Sequence, residues 1–120
     1  MAQLVTFTVD GVKRPGALKN DRVLDLQAAG LPVGEHGDLM AIAQGGSAAL
    51  NQVDAAIAEW SAPDYAIDAI KLDAPIQRPP KVIGIGLNYL DHCREANMAV
   101  PTVPVIFTKY STSVTGPYDD

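Results

Sequence analysis

The sequence predicts an α+β fold in two units that divide near residue 75. Three observations support this prediction: alternating side chains at 3–9, an apolar stripe of helical period at 50–60, and a proline-rich connector at 74–80. The chain has 120 residues, of which 48% are hydrophobic and 19% are charged. This length and composition indicate a packed core rather than a disordered chain.

Net charge and cysteine content limit the expected partners and compartment. Residues 1–75 contain ten acids and five bases, a net charge of −5, whereas residues 76–120 contain four of each and are neutral. An acidic chain is a poor match for nucleic acid or an anionic membrane, so we expect neither partner. The single cysteine, Cys93, excludes an internal disulfide and favours a reducing compartment. With no apolar run near about 18 residues and no basic start at Met1, a soluble cytoplasmic protein is expected.

The first unit, residues 1–75, is predicted to open with two hairpins. Residues 3–9 alternate as in a half-buried strand, with Val5, Phe7 and Val9 on one side and Leu4, Thr6 and Thr8 on the other. Asp10-Gly11 is a tight-turn signal after this strand. The segment 19–22 lies between two short apolar pairs and predicts a second hairpin.

Two helices are predicted after the hairpins. Asp38 is expected to cap a short helix through Ala43 that ends at Gly45-Gly46, and Ser47 to cap a longer helix through Trp60. Four residues of the longer helix form a single apolar stripe, namely Leu50, Val53, Ile57 and Trp60.

The second unit, residues 76–120, is predicted to contain two strands with a helical segment between them. Residues 81–86 form a short apolar strand, and 87–97 are expected to be helical or turn-like. Residues 98–104 contain two prolines and predict a loop, while the β-branched and aromatic content of 105–109 predicts the second strand. Residues 112–120 are polar and show no period.

The glycines of the first of these strands do not complete a dinucleotide-binding fingerprint. Gly84 and Gly86 would need a third glycine where Tyr89 stands. We therefore expect that Gly84 and Gly86 allow another backbone to approach the strand closely.

The segment 88–95 is the densest polar cluster in the chain. If it is helical, His92 and Glu95 lie three residues apart on one face. A carboxylate beside an imidazole fixes its tautomer and raises its basicity, which suits a general base that activates water. An ordinary solvated pair on a helix surface is the alternative. Cys93 points away from His92 on a helix, so a buried structural thiol is expected rather than a Cys–His nucleophile.

Lys109 follows the apolar strand at 105–108, where its ammonium group could reach an anionic ligand. A charged residue placed where the strand leaves the core is the alternative. The spacing of His, Cys and carboxylate residues does not match a zinc site.

Taken together, an ordered series of motifs resembles the fumarylacetoacetate hydrolase family. The most specific part is Asn-Tyr-x-x-His-x-x-Glu at 88–95, followed by Pro-Val-x-Phe-x-Lys at 104–109. The series also includes 72–79, 81–92, Pro101 and Gly116-Pro117. The first 70 residues match more weakly, as the variable N-terminal domain of the family, and Val23-Leu-Asp-Leu26 is the most familiar piece there. The resemblance implies a small N-terminal α+β domain followed by the first strands and lid segment of a fumarylacetoacetase-like mixed β-roll.

The resemblance also implies roles for individual residues. His92 and Glu95 match the catalytic pair of the family, in which the glutamate orients a histidine that activates water. Residues 92–104 match a lid over the substrate, and Lys109 matches a lysine near the active site. Asn88 and Tyr89 match the turn that enters the site.

The implied enzyme is a homodimer that cleaves a C–C bond in a β-diketo or 2-oxo acid with Mg²⁺ or Mn²⁺. The metal ligands of the family are a Glu-x-Glu pair and a later aspartate, and this chain has no Glu-x-Glu. After Glu95 its only acids are Asp119 and Asp120, so the metal ligands are expected downstream and the chain alone is expected to be inactive. A hydratase, decarboxylase or isomerase of the same family, and a non-catalytic assembly or interaction module, are the alternatives.

Overall fold

The structure, a computed structural model, describes residues 3–61 and 64–119 and divides them into two compact units. The first unit extends to Arg78 and also includes residues from Val114 onward, while the second consists of Pro79–Ser113. Sequence reasoning placed the boundary three residues earlier, at 75/76, and assigned all of 76–120 to the second unit. The later boundary has a local cause, because Gln77 donates its backbone N–H to Asp38 at 2.8 Å and thereby belongs to the first unit.

A five-stranded antiparallel sheet forms most of the first unit. Its strands are β1 (Gln3–Val9), β2 (Val12–Lys19), β3 (Arg22–Asp25), β4 (Tyr65–Ala66) and β5 (Lys71–Asp73). They lie in the order β4-β3-β2-β1-β5, so β5 pairs with β1 across more than sixty residues of sequence. Sequence reasoning did not identify β4 or β5, which contain two and three residues.

Both predicted hairpins are confirmed, and each has a two-residue turn. Val9 pairs with Val12 around Asp10 and Gly11, whose φ values are 50° and 76°. The second turn, Asn20 and Asp21, has φ values of 51° and 59°. Positive φ at both positions is the backbone geometry that matches the twist of hairpin strands, and Asn, Asp and Gly tolerate it best.

The predicted helices form one interrupted helix, α1 (Met40–Glu59). Gly46 has φ 56° and ψ −142°, so the break expected at Gly45-Gly46 is confirmed. The carboxylate of Asp38 is 1% exposed and accepts the backbone N–H of Met40 at 3.2 Å. It also accepts the Gln77 N–H, which fixes the start of α1 to the connector.

The main core lies between α1 and one face of the sheet. Its buried residues are Ala17, Leu24, Leu26, Leu31, Leu39, Ile42, Ala49 and Val53. Ile57 and Trp60 pack against this core as predicted, but Leu50 is 47% exposed. After the break at Gly46 the buried stripe starts at Ala49, which lies four residues before Val53 on the same face.

Phe7 is fully buried on the opposite face of the sheet. Its ring covers Gly16, where a Cβ atom would come within 2.8 Å of the ring and of Val23. The ring also lies 5.5 Å from that of Tyr65, centroid to centroid. The alternation expected in β1 is incomplete, because Thr6 on the other face is buried too and donates its hydroxyl to the carbonyl of Pro75.

Asp25 on β3 is a buried carboxylate with strong partners. It is 1% exposed and forms an ion pair with Arg14 at 2.7 Å, which raises the pKa of the guanidinium. Its other oxygen accepts the backbone N–H of Ala28 at 3.0 Å. This carboxylate therefore supports the fold and takes no part in the predicted site.

Asp119 accepts two hydrogen bonds, and the one from Lys71 connects the last described residues to the sheet. Lys71 donates to one carboxylate oxygen at 2.5 Å and the Gly116 N–H donates to the other at 2.7 Å. Both lower the pKa of Asp119, the lysine hydrogen bond most. A lowered folded-state pKa contributes stability above the unfolded-state value and loses it as pH falls through the folded-state value.

We therefore predict that Asp119→Asn is less stable than the wild type near neutral pH and that this difference shrinks as pH falls to about 2. Urea midpoints measured at several pH values would test this. Asp54→Asn, at an exposed position on α1, is the control. A wild-type advantage that stays constant down to the lowest pH would contradict the assignment.

The second unit is a hairpin with one short helix. Strands β6 (Val82–Gly86) and β7 (Val105–Lys109) are antiparallel, and α2 (Leu90–Glu95) lies between them in sequence. The predicted strands and helical segment are confirmed. The expectation for Gly84 was wrong in one respect, because the ring of the Phe107 side chain, rather than another backbone, occupies the space that a Cβ would need.

No helix in the described part of the chain is long and apolar enough to cross a membrane.

Candidate functional site

Four of the five predicted site residues follow β6 in one continuous segment. Leu87 has φ 51° and turns the chain sharply after Gly86. Asn88 is exposed, and Tyr89, which is 75% exposed, has extended backbone and immediately precedes α2. The turn and the helix therefore place Asn88, Tyr89, His92 and Glu95 within about two helical turns of chain.

His92 and Glu95 both lie on α2 and are exposed. Their spacing of three residues puts them on neighbouring positions of the helix surface. The ion pair that does form on this helix joins Asp91 to Arg94 at 2.8 Å, with both side chains more than three-quarters exposed. Such an exposed pair contributes little to stability. The roles of His92 and Glu95 stay predictions.

Lys109 lies away from this segment along the hairpin. It is exposed at the end of β7 and pairs with Val82, whereas Gly86 pairs with Val105. Four residue steps separate these pairs, about 13 Å along the strands. The backbone register thus puts Lys109 and the Asn88 turn at opposite ends of β6, and the function of Lys109 also stays a prediction.

An open pocket of about 320 Å³ lies at the end of the hairpin that carries Asn88. Its walls are formed by the end of β6, the turn, Leu90 of α2 and the loop before β7. The residues of that loop are Val100, Pro101, Thr102, Val103 and Pro104. Sequence reasoning predicted this loop from its prolines but did not identify Thr102, because a lone threonine in a loop carries no distinctive signal.

The described residues do not supply a complete metal site. Among them, no group of three histidine, cysteine or carboxylate side chains is close enough to hold a metal ion. Asp119 is engaged by Lys71 and the Gly116 N–H, and Asp120 lies outside the described residues. A hard cation such as Mg²⁺ requires several oxygen ligands, so these side chains alone do not fit it.

Comparisons with known proteins give matches of different extent. The mitochondrial oxaloacetate tautomerase Fahd2a of Rattus norvegicus is 61% identical over 46 residues, which are 38% of this chain and 15% of that protein. A candidate hydrolase of Burkholderia ambifaria (strain MC40-6) is 36% identical over an alignment of 123 residues that covers 98% of this chain. The chain spans 39% of the length of this second relative.

The fold has a solved counterpart as well. The crystal structure of a candidate HpcE protein from Mycobacterium smegmatis matches with a TM-score of 0.73 and 31% sequence identity. The match covers 93% of this chain and 38% of that one. No family model matches the chain.

The fold is thus shared with a solved structure over 93% of this chain and is not specific to it. The chain is a relative of the fumarylacetoacetate hydrolase family, as its motifs indicated.

Proposed function

We propose that this chain forms part of an enzyme that acts on a small 2-oxo or β-diketo acid, with His92 as the general base and Glu95 orienting it. The observation that supports this most is the continuous segment from Asn88 to Glu95. It presents a polar turn, an imidazole and a carboxylate at exposed positions, and the turn and the first residue of the helix line a pocket.

The first candidate reaction is hydrolysis of an acylpyruvate-type substrate. His92 takes a proton from water, and the resulting hydroxide adds to the distal carbonyl carbon. The C–C bond next to that carbon then breaks, and its electron pair passes to the 2-oxo acid as an enolate. Return of the proton to the enolate carbon gives one carboxylic acid and one 2-oxo acid, so atoms and charge balance.

Mg²⁺ or Mn²⁺ remains part of the proposal as the cofactor. Its ligands would have to come from outside the described residues, since these hold no suitable group of three. We propose a homodimer as the assembly and a small acid as the partner.

The second candidate is tautomerisation, which the relative named oxaloacetate tautomerase favours. The same base would remove a proton from the carbon next to the 2-oxo group, and a proton would be delivered to the oxygen, with no C–C bond broken. A 2-oxo-acid hydratase or decarboxylase differs in the later steps. A non-catalytic assembly or interaction module is the remaining alternative.

An assay of two substrates tests the proposal and separates its candidates. The complete gene product that contains this chain, supplied with Mg²⁺ or Mn²⁺, is offered an acylpyruvate and oxaloacetate. Release of pyruvate and the matching acid from the acylpyruvate indicates the hydrolase, and faster enol–keto exchange of oxaloacetate without product release indicates the tautomerase. The 120-residue chain alone is expected to turn over neither substrate, because its described residues contain no group of three metal ligands. Failure of the complete product on both substrates would contradict the proposal.

A further inference from the structure

Cys93 is the one buried side chain of the second unit, all of whose residues, Pro79–Ser113, are described. It lies in the middle of α2 and is 2% exposed, whereas its neighbours His92 and Arg94 are exposed. A six-residue helix is too short to be stable by itself, so its place depends on the contacts it makes. The side chain of Cys93 therefore supplies the buried side-chain contact of this helix.

The partner of this thiol is the residue that turns the chain into the site. The Cys93 Sγ lies 3.5 Å from the carbonyl oxygen of Leu87 and donates to it. Leu87 has φ 51°, a left-handed conformation that branched, bulky residues rarely adopt. Such a conformation persists only where neighbouring contacts hold it.

The left-handed turn has a direct consequence for the pocket. Leu87 and Asn88 both line it, together with Leu90 from the start of α2. If Leu87 relaxed to an ordinary conformation, the direction of the chain would change at that residue, and Asn88 and α2 would move relative to β6. The backbone N–H of Met98, which donates to the Cys93 carbonyl at 2.9 Å, holds the other end of α2 at the same residue.

We propose that Cys93 is a positioning residue, which holds Leu87 in its left-handed conformation and thereby fixes Asn88 and the helix that carries His92 and Glu95. This inference rests on the proposed function only for the roles of Asn88, His92 and Glu95 in the site. The contact between Cys93 and Leu87 stands independently of them.

The test compares single and double variants of Cys93 and Leu87 in the complete gene product, and NMR is the first measurement. Cys93→Ala should shift the Leu87 Cα and Cβ resonances and its three-bond HN–Hα coupling away from left-handed values and displace the Asn88 amide signal. Cys93→Ser, which keeps a donor, should retain part of the wild-type pattern. Glycine adopts positive φ without a steric cost, so the Leu87→Gly backbone should not need the thiol to hold it. Adding Cys93→Ala to Leu87→Gly should therefore leave the Asn88 signal nearly unchanged. Arg94→Ala, at an exposed position of the same helix, is the matched control.

Kinetics then tests the consequence for the site. Cys93→Ala should lower kcat/KM by about 10-fold to 100-fold through misplacement of the site residues. In the Leu87→Gly background the same change should cost less than about twofold, because the two residues act as one unit.

Two outcomes would overturn the proposal: a left-handed Leu87 and an unmoved Asn88 in Cys93→Ala, or equal kinetic losses in both backgrounds. Failure of the proposed function is a separate result, seen as no turnover by the wild type, and the NMR arm remains decisive in that case.

Discussion

Replacing His92 by alanine should lower kcat of the complete gene product by about 10² to 10⁴-fold, the usual contribution of a positioned general base. The imidazole is exposed on α2, so its removal leaves no cavity and the fold should be unaffected. The loss should appear on the substrate that the wild type turns over, whether the reaction is hydrolysis or tautomerisation, because both begin with a proton taken by the same base.

Three further variants make this result specific. Glu95→Gln keeps the size of the side chain but removes its charge, and it should lower kcat less than loss of the imidazole. Arg94→Ala and Asp91→Asn disrupt the exposed ion pair on the same helix and should leave kcat near the wild-type value. If the His92 variant retained wild-type kcat, another residue would have to be the base. A decrease as large in Arg94→Ala would indicate damage to α2 instead.

The parts of the fold that follow from local chemistry were predictable. The turns at Asp10-Gly11 and Asn20-Asp21 require positive φ, which these residue types tolerate, and the structure has it at all four positions. Gly46 interrupts α1 for the same kind of reason. Each of these features is decided by two or three neighbouring residues.

The parts that depend on distant contacts were not predictable in the same way. Strand β5 is three residues long and exists because it pairs with β1 across the chain. The ring of Phe107 covers Gly84 because the register of β6 and β7 places them opposite each other. A local sequence pattern does not determine the pairing of β5 with β1 or the register of β6 and β7.

The candidate site divides along the same line. Asn88, Tyr89, His92 and Glu95 are close together because they are neighbours in sequence, so a motif was enough to group them. Lys109 was grouped with them by resemblance alone, and the register of the hairpin separates it from the turn. Residues 100–104 form another wall of the pocket and belong to a proline-containing loop. This loop has no periodic sequence pattern, so its position beside the turn was not predicted.

The second unit also exposes more apolar surface than a domain with its own hydrophobic core usually does. Ile83, Ile85, Ile106 and Phe107 on the two strands are each 44% exposed or more. A two-stranded hairpin is marginally stable by itself. The first unit, by contrast, has a core of its own on one face of its sheet and Phe7 on the other. This contrast makes the first unit the part whose stability a single substitution should change most clearly.

Replacing Phe7 by alanine should lower the free energy of unfolding of the first unit by about 3–5 kcal/mol, the usual cost of such a truncation in a core. The ring is 0% exposed and fills the space above Gly16, which has no side chain of its own to close the cavity. The Tyr65 ring, 5.5 Å away, would lose its packing partner as well.

Urea unfolding followed by the fluorescence of Trp60 measures this loss directly, because Trp60 is the single tryptophan of the chain and packs against the core of the same unit. Val12→Ala is the matched control, since Val12 is in the neighbouring strand but 48% exposed, and its cost should stay within about 0.5 kcal/mol. Gly16→Ala tests the same packing by adding an atom instead of removing the ring, because the added Cβ would lie too close to the Phe7 ring. If Phe7→Ala cost no more than Val12→Ala, the face of the sheet that carries Phe7 would contribute little to the stability of the unit. The core against α1 would then have to account for nearly all of it.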